Sequence, residues 1–204
     1  MSAMSENPMG RRSERSRKTG ETDIKVELVL DGSGVSDIET GVGFFDHMLD
    51  AFTRHGLFDL TVRAKGDLEV DAHHTVEDAG IVLGSAVAEA LGDKVGITRF
   101  SDRTIAMDES LVMCAMDISG RGQLYWAMDI PVEAISTFDT QLAKEFFVAF
   151  AANSGITLHM KQLAGENAHH LIEAAFKACG RALRAAVEMD PRAAGILPST
   201  KGSL

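Results

Sequence analysis

One short motif occurs twice in this chain, and the repetition constrains the fold more than any other feature of the sequence. Residues 72–77 read AHHTVE and residues 168–173 read AHHLIE, so both copies have the pattern A-H-H-x-x-E. The copies are 96 positions apart (168 − 72), and Gly84 and Gly180 downstream are separated by the same interval. A repeat that stays in phase beyond its motif indicates an internal duplication.

Each copy is expected to begin an α-helix. Asp71 and Asn167 directly precede the copies, and residues of these two types commonly cap helix N-termini. Apolar side chains follow at helical intervals in both copies. Residues three and four positions apart are neighbours on a helix, so Glu77 and Glu173 each lie beside the histidines of their own copy. Each copy therefore predicts two imidazoles and one carboxylate on about one helical turn.

These side chains predict a metal site. A lone histidine on a helix is more often structural than a ligand, but two matching His-His pairs with glutamates weaken that explanation. Imidazole and carboxylate without thiolate suit Mn, Fe, Zn or Ni, and the mixed set favours a six-coordinate ion such as Mn. A tetrahedral zinc site is compatible with the same residues. Adjacent helical residues point about 100° apart, so we expect two ions, each bound by residues from both copies.

Composition excludes several classes of protein. The formal net charge of −10 argues against a nonspecific nucleic-acid binder, which needs a basic face. No apolar run approaches the roughly 18 residues of a membrane span, and no hydrophobic segment follows the N-terminal arginines as in a secretory signal. Cys114 and Cys179 form no closely spaced pair. We therefore expect a reduced, cytoplasmic protein without a nucleic-acid or membrane partner.

The predicted elements follow a similar order in both parts of the chain. Strand, helix and turn patterns predict an α+β protein of two duplicated halves, each a mostly antiparallel sheet with helices packed on one face. We place the first half at residues 18–100 and the second at residues 101–190. Residues 1–17 are polar and are expected to form a disordered tail. Residues 191–204 are a C-terminal tail, whose residues 199–202 (STKG) suit phosphate binding.

Over about residues 17–202 the chain resembles the imidazoleglycerol-phosphate dehydratase family, hydro-lyases of histidine biosynthesis. The motifs that carry the resemblance are residues 17–22 (RKTGET), 30–32 (LDG), 43–49 (GFFDHML), 71–78 (DAHHTVED), 107–109 (MDE), 167–178 (NAHHLIEAAFKA) and 198–202 (PSTKG). The resemblance implies two similar α+β halves and self-association into a 24-subunit shell. It also implies active sites at subunit boundaries, each with two Mn²⁺ ions.

The resemblance also assigns metal ligands. By position these are His47, His73, His74, Glu77, His169, His170 and Glu173. The chain has Glu145 where many members have a further histidine ligand. Glu145 lies 98 positions after His47 (145 − 47) and corresponds to it in the second half, so we expect its carboxylate to bind Mn²⁺. A second difference is Ala51, where many members have a glutamine near the substrate.

The implied reaction is the dehydration of D-erythro-imidazoleglycerol phosphate to imidazole acetol phosphate. The C–H bond that breaks has no neighbouring carbonyl, so we expect a route through a metal-bound imidazolate and a diazafulvene. The resemblance implies Glu21 as the acid/base, with Glu173 and Lys177 as further catalytic residues. The residues expected to bind the phosphorylated imidazole substrate are Arg99, Arg121, Lys177, Ser199 and Lys201.

Two other classes of protein are compatible with these residues. A dinuclear metallohydrolase acting on a phosphate ester would use the ions to activate water and would release inorganic phosphate. A noncatalytic metal-binding or shell-forming protein would leave Glu21 and the predicted phosphate-binding residues without a role. The dehydratase interpretation uses all of these residues.

Overall fold

The computed structural model describes residues 10–204, and residues 1–9 lie outside the description. Within the described range the chain forms ten strands, four α-helices and one 3-10 turn at Pro191–Ala193. The strands are β1 Arg12–Lys18, β2 Thr22–Val29, β3 Ser36–Glu39, β4 Asp59–Gly66, β5 Phe100–Met107, β6 Ser110–Asp117, β7 Gln123–Ala127, β8 Ala134–Ile135, β9 Phe138–Asp139 and β10 Thr157–Ala164. The helices are α1 Gly43–Gly56, α2 His73–Leu91, α3 Gln141–Ser154 and α4 Ala168–Val187.

The two halves form sheets of the same topology. The first sheet has the strand order β1-β2-β4-β3, and the second has the equivalent order β5-β6-β10-β7. In each sheet two pairs of strands are antiparallel, whereas the last pair, β4 with β3 or β10 with β7, is parallel. The short pair β8-β9 is an addition within the second half. The predicted duplicated α+β fold is therefore confirmed.

The four helices lie between the two sheets. Along β2, Ile24, Val26 and Leu28 are buried while the residues between them are exposed, and along β6 buried residues alternate with partly buried ones. Alternate side chains of a strand point to opposite faces, so each sheet presents one apolar face to the helices. Helix α1 packs against α4, and α2 packs against α3, so each helix contacts a helix of the other half. The two halves thus share one core.

Two glycines allow these helix pairs to approach closely. A Cβ atom added to Gly180 of α4 would lie 2.3 Å from the carbonyl oxygen of Phe52 in α1. A Cβ atom added to Gly84 of α2 would lie 2.6 Å from the carbonyl oxygen of Phe150 in α3. Neither distance is possible for a real side chain. Gly84 and Gly180, which continue the sequence repeat, are therefore required at two equivalent contacts between helices of opposite halves.

The prediction of a disordered tail over residues 1–17 is wrong for its last part. Residues Arg12–Lys18 form β1, an edge strand that pairs antiparallel with β2. Nearly all of its side chains are exposed, so the sequence shows none of the apolar alternation that marks a half-buried strand. Backbone hydrogen bonds to β2, and an ion pair between Arg17 and Asp78, hold it in place. The rest of the predicted tail, residues 1–9, lies outside the described residues.

Two further features of the second sheet are not evident from the sequence patterns. Strands β6 and β7 follow each other in the chain, but β10 lies between them in the sheet. Strand β5 has mixed polar and apolar residues and was not expected from its pattern. Between residues 10 and 204 no helix is long and apolar enough to cross a membrane.

We expect Gly180→Ala to destabilise the protein by about 1–3 kcal/mol, because the new methyl group would force α4 away from α1. Urea unfolding of the metal-free protein would measure the change in free energy. Gly43→Ala is the matched control, since a Cβ atom there meets no atom within 4 Å, and it should change stability by less than about 0.5 kcal/mol. Equal stability of the Gly180 variant and the wild type would contradict this account of the helix contact.

Candidate metal centre and active site

The packing of α1 on α4 brings three predicted ligands together. The Nε2 atom of His47 lies 3.3 Å from Oε2 of Glu173, and Nε2 of His169 lies 3.1 Å from the same oxygen. All three ligand atoms lie within 4.8 Å of one another. Two atoms bound to one ion at a right angle, each about 2.1 Å from it, are about 3 Å apart. The donor atoms are therefore spaced as in a metal site, and we call these three residues the α1–α4 triad.

Lys177 holds the other oxygen of the triad's carboxylate. Its Nζ atom lies 2.7 Å from Oε1 of Glu173, one helical turn away on α4. Burial raises the pKa of Glu173, but the hydrogen bond and charge of Lys177, together with His47 and His169, outweigh it, so the pKa is lowered overall. Glu173 is thus ionised at neutral pH, with Oε2 directed toward the two histidines. Lys177, which was expected to take part in catalysis, therefore lies next to a predicted ligand.

The first motif forms a second group at the start of α2. Oδ1 of Asp71 accepts a hydrogen bond of 2.7 Å from the backbone N–H of His73, which confirms the predicted helix start. Nε2 of His73 lies 3.7 Å from Oε2 of Glu77. Nδ1 of His74 lies 3.0 Å from Oδ2 of Asp67, and this hydrogen bond raises the pKa of His74. The predicted ligands of this motif therefore lie side by side at one helix end.

Glu21 lies close to the first motif. It is in the turn between β1 and β2, and its Oε1 atom is 3.9 Å from Nε2 of His74. The hairpin is tied to α2 because Oγ1 of Thr22 donates to the carboxylate of Asp78, and Nε of Arg17 lies 2.8 Å from the same carboxylate. The buried side chain of Asp78 thus fixes the position of the expected acid/base. Neither Asp78 nor Thr22 was expected at the site from sequence.

Hydrogen bonds with neighbouring residues also fix the second motif. Oδ1 of Asn167 accepts hydrogen bonds from the backbone N–H groups of His169 and His170, at 3.0 and 3.3 Å, so the predicted cap of α4 is confirmed. Nδ1 of His170 lies 2.8 Å from Oε2 of Glu109. The hydrogen bond from His170 is the largest cause that lowers the pKa of Glu109 to about 2. Glu109 belongs to a motif in the sequence, but its contact with His170 was not expected.

Glu145 lies on α3 and is partly buried. Between residues 10 and 204 no hydrogen bond or ion pair joins it to a histidine, so its predicted role as a ligand stays a prediction. The backbone of α3 next to Glu145 lies against α2, since a Cβ atom on Gly80 would be 2.7 Å from the carbonyl oxygen of Phe146. Glu145 thus lies beside the helix of the first motif, as His47 lies beside the helix of the second.

Four of the predicted substrate-binding residues lie around Asp117 and the C-terminal tail. Nε of Arg99 is 2.8 Å from Oδ1 of Asp117, and Nη1 of Arg99 donates to the carbonyl oxygen of Pro198 at 2.6 Å. Nη2 of Arg121 is 3.9 Å from Oδ2 of Asp117. Ser199 and Lys201 follow Pro198 in the tail. In the part of the chain that the structure describes, no hydrogen bond or ion pair joins these four residues to either histidine motif.

Phe44 packs beside the α1–α4 triad. Its ring contacts that of His169 edge-on, with centroids 5.2 Å apart, and that of Phe138 at 5.0 Å. Its neighbour Phe45 is fully buried against Phe146. Phe44 thus limits the orientations open to the His169 ring. Ala51, at the family's glutamine position, is buried in α1.

Comparisons with known proteins agree with this geometry. A family model described as imidazoleglycerol-phosphate dehydratase matches residues 40–183. The chain is 60% identical over 194 residues to the imidazoleglycerol-phosphate dehydratase of Dinoroseobacter shibae, covering 95% of this chain and 100% of the relative. The enzyme of Paracoccus denitrificans is 59% identical with the same coverage.

Solved structures give the same result. The imidazoleglycerol-phosphate dehydratase of Staphylococcus aureus superposes with a TM-score of 0.80 and 38% identity, covering 88% of this chain and 99% of that one. The Pyrococcus furiosus protein, solved in complex with (S)-C348, has a TM-score of 0.80 and 40% identity, covering 93% of this chain and 100% of that one.

The fold, the site and these relatives together define a metal-dependent hydro-lyase built from two duplicated α+β halves. The chain belongs to the imidazoleglycerol-phosphate dehydratase family, whose members act in histidine biosynthesis. The family resemblance found in the sequence motifs is therefore confirmed.

Proposed function

We propose that this chain catalyses the Mn²⁺-dependent dehydration of D-erythro-imidazoleglycerol phosphate to imidazole acetol phosphate. The α1–α4 triad carries the proposal, because three ligand atoms within 4.8 Å form a metal-type site in a chain of this family. The substrate is the one named for its relatives, imidazoleglycerol phosphate. Imidazole and carboxylate ligands without thiolate suit Mn²⁺.

Two ions for each active site are proposed, with matching ligand sets. His47, His169 and Glu173 would hold one ion, and their counterparts Glu145, His73 and Glu77 would hold the other. His74 and His170 would complete these sites. Among the described residues, the group of close ligand atoms contains histidine and glutamate of the second motif together with His47, and none of the first motif. We therefore propose that a second copy of the chain supplies the remaining ligands, in a 24-subunit shell with sites at subunit boundaries.

The chemistry of the substrate explains why such a site is needed. Mn²⁺ held by the histidines and carboxylates would supply positive charge that favours loss of the ring N–H proton, which would prepare the ring for departure of the neighbouring hydroxyl. The next carbon must then lose a proton, and Glu21 is proposed to remove it as general base. A carboxylate 3.9 Å from Nε2 of His74 is close to the site where the substrate ring would bind. Glu173 and Lys177 would orient the reacting groups from the other helix.

The phosphate of the substrate is proposed to bind at Arg99, Arg121, Ser199, Lys201 and Lys177. Asp117 holds the guanidinium of Arg99 through two nitrogens, at 2.8 and 3.3 Å, which fixes its plane. A fixed guanidinium can bind two phosphate oxygens at once. Binding of the phosphate away from the ring would hold the reacting carbons in place. A cytoplasmic location also belongs to the proposal, and the unpaired thiols of Cys114 and Cys179 agree with it.

Turnover of imidazoleglycerol phosphate by metal-stripped protein, with and without added Mn²⁺, tests the proposal. We expect the keto product only when Mn²⁺ is present, and no free phosphate. Release of inorganic phosphate without keto product would instead favour a dinuclear metallohydrolase. Absence of keto product with every divalent metal, in protein that is folded and binds Mn²⁺, would contradict the proposed function.

We expect Glu21→Gln to lower kcat by about 10² to 10⁴, the usual contribution of general acid–base catalysis. Mn²⁺ binding should stay unchanged, because Glu21 is not proposed as a ligand. Glu27→Gln is the matched control, since Glu27 lies on the exposed face of the same hairpin and pairs with Lys25; it should keep the wild-type kcat. A Glu21 variant with nearly normal kcat would remove this residue from the mechanism.

A further inference from the structure

The two halves place a glutamate at the same position of their first hairpin. Glu21 directly precedes Thr22, the first residue of β2, and Glu109 directly precedes Ser110, the first residue of β6. Thr22 and Ser110 are both buried, and the alternation of buried and less buried residues continues in step along the two strands. Each hairpin turn reaches the second histidine of its own half's motif. Glu21 and Glu109 are therefore counterparts in the duplication.

The contacts of these counterparts are different. Oε2 of Glu109 accepts a hydrogen bond of 2.8 Å from Nδ1 of His170. Its Oε1 atom accepts from Oγ of Ser110 at 2.8 Å and from the backbone N–H of Asn167 at 3.0 Å. Both oxygens of Glu109 are thus occupied. Glu21 is 3.9 Å from His74, beyond hydrogen-bonding distance, and its side chain is 58% exposed.

In the first half, a different residue contacts Nδ1 of the motif's second histidine, His74. Asp67, in the loop between β4 and α2, places both carboxylate oxygens at 3.0 and 3.3 Å from Nδ1 of His74. Its side chain is only 18% exposed. Asp67 therefore makes the contact with His74 that Glu109 makes with His170, although the two carboxylates come from different elements of the fold.

A carboxylate beside Nδ1 determines which nitrogen of a neutral histidine ring carries the proton. A neutral imidazole carries one N–H, and the carboxylate can only accept, so the proton stays on Nδ1. The lone pair of Nε2 is then free to bind a metal. Such partners of metal-binding histidines fix the tautomer and the ring orientation, and their loss commonly costs 10- to 100-fold in metal affinity.

We propose that Asp67 and Glu109 are positioning residues that fix His74 and His170 for metal binding through Nε2. We further infer that Asp67 took over this task in the first half, which leaves Glu21, the counterpart of Glu109, free to act on the substrate. The inference rests on the proposed function for the roles of the metal and of Glu21. The positioning role itself is judged by metal binding alone.

The test is the Mn²⁺ affinity of Asp67→Ala and Glu109→Ala, measured at one fixed pH by the electron paramagnetic resonance signal of free Mn²⁺. We expect each substitution to weaken binding about 10- to 100-fold. Asp67→Asn should recover most of the affinity, because its amide oxygen can still accept the proton of Nδ1. Glu69→Ala and Glu166→Ala are the matched controls, since both residues are exposed and precede the same helices; their affinity should equal that of the wild type.

A second measurement needs no variant of the carboxylates. Ring nitrogen-15 chemical shifts of the metal-free wild-type protein, recorded at a pH high enough to keep both imidazoles neutral, should show the Nδ1–H tautomer for His74 and His170. Resonances can be assigned by substituting each of these histidines in turn. Wild-type affinity in both alanine variants, or the Nε2–H tautomer at both histidines, would overturn the inference. A wild-type protein that binds Mn²⁺ but forms no keto product would instead refute the proposed function and leave the positioning test valid.

Discussion

The close contact between helices of opposite halves is the constraint on which the rest of this structure depends. Gly180 lets α4 approach the backbone of α1, and Gly84 lets α2 approach α3. Because α1 carries His47 and α4 carries His169 and Glu173, the same contact that closes the core also assembles the α1–α4 triad. Any side chain at Gly180 would separate the ligands as well as the helices. Stability and metal binding are therefore coupled through one helix pair.

Much of this arrangement could be predicted from the sequence. The repeated A-H-H-x-x-E pattern predicts two equivalent helices, and the in-phase glycines predict that the duplication extends beyond the motif. The cap of α4 at Asn167 follows from local capping rules, and Asp71 accepts from the backbone N–H of His73 just before α2, because these contacts lie within three residues. Local patterns of this kind are read directly from the chain.

Other parts could not be predicted, for physical reasons that differ between residues. β1 is an edge strand with exposed polar side chains, so its position depends on backbone pairing that leaves no pattern in the sequence. Asp67, Asp78 and Glu109 are ordinary acidic residues until the fold brings them to partners, which for Glu109 and His170 are 61 positions apart. No local rule identifies such contacts.

The central claim is that the duplication supplies two matching sets of metal ligands, one from α1 and the motif helix α4 and the other from α3 and the motif helix α2. Anomalous X-ray diffraction from crystals of the Mn²⁺-loaded protein tests this most directly, because it locates each ion and its ligands. The account predicts two Mn²⁺ ions for each chain, one bound by His47, His169 and Glu173 and the other by Glu145, His73 and Glu77. A single ion for each chain, or a second ion without Glu145 among its ligands, would contradict it.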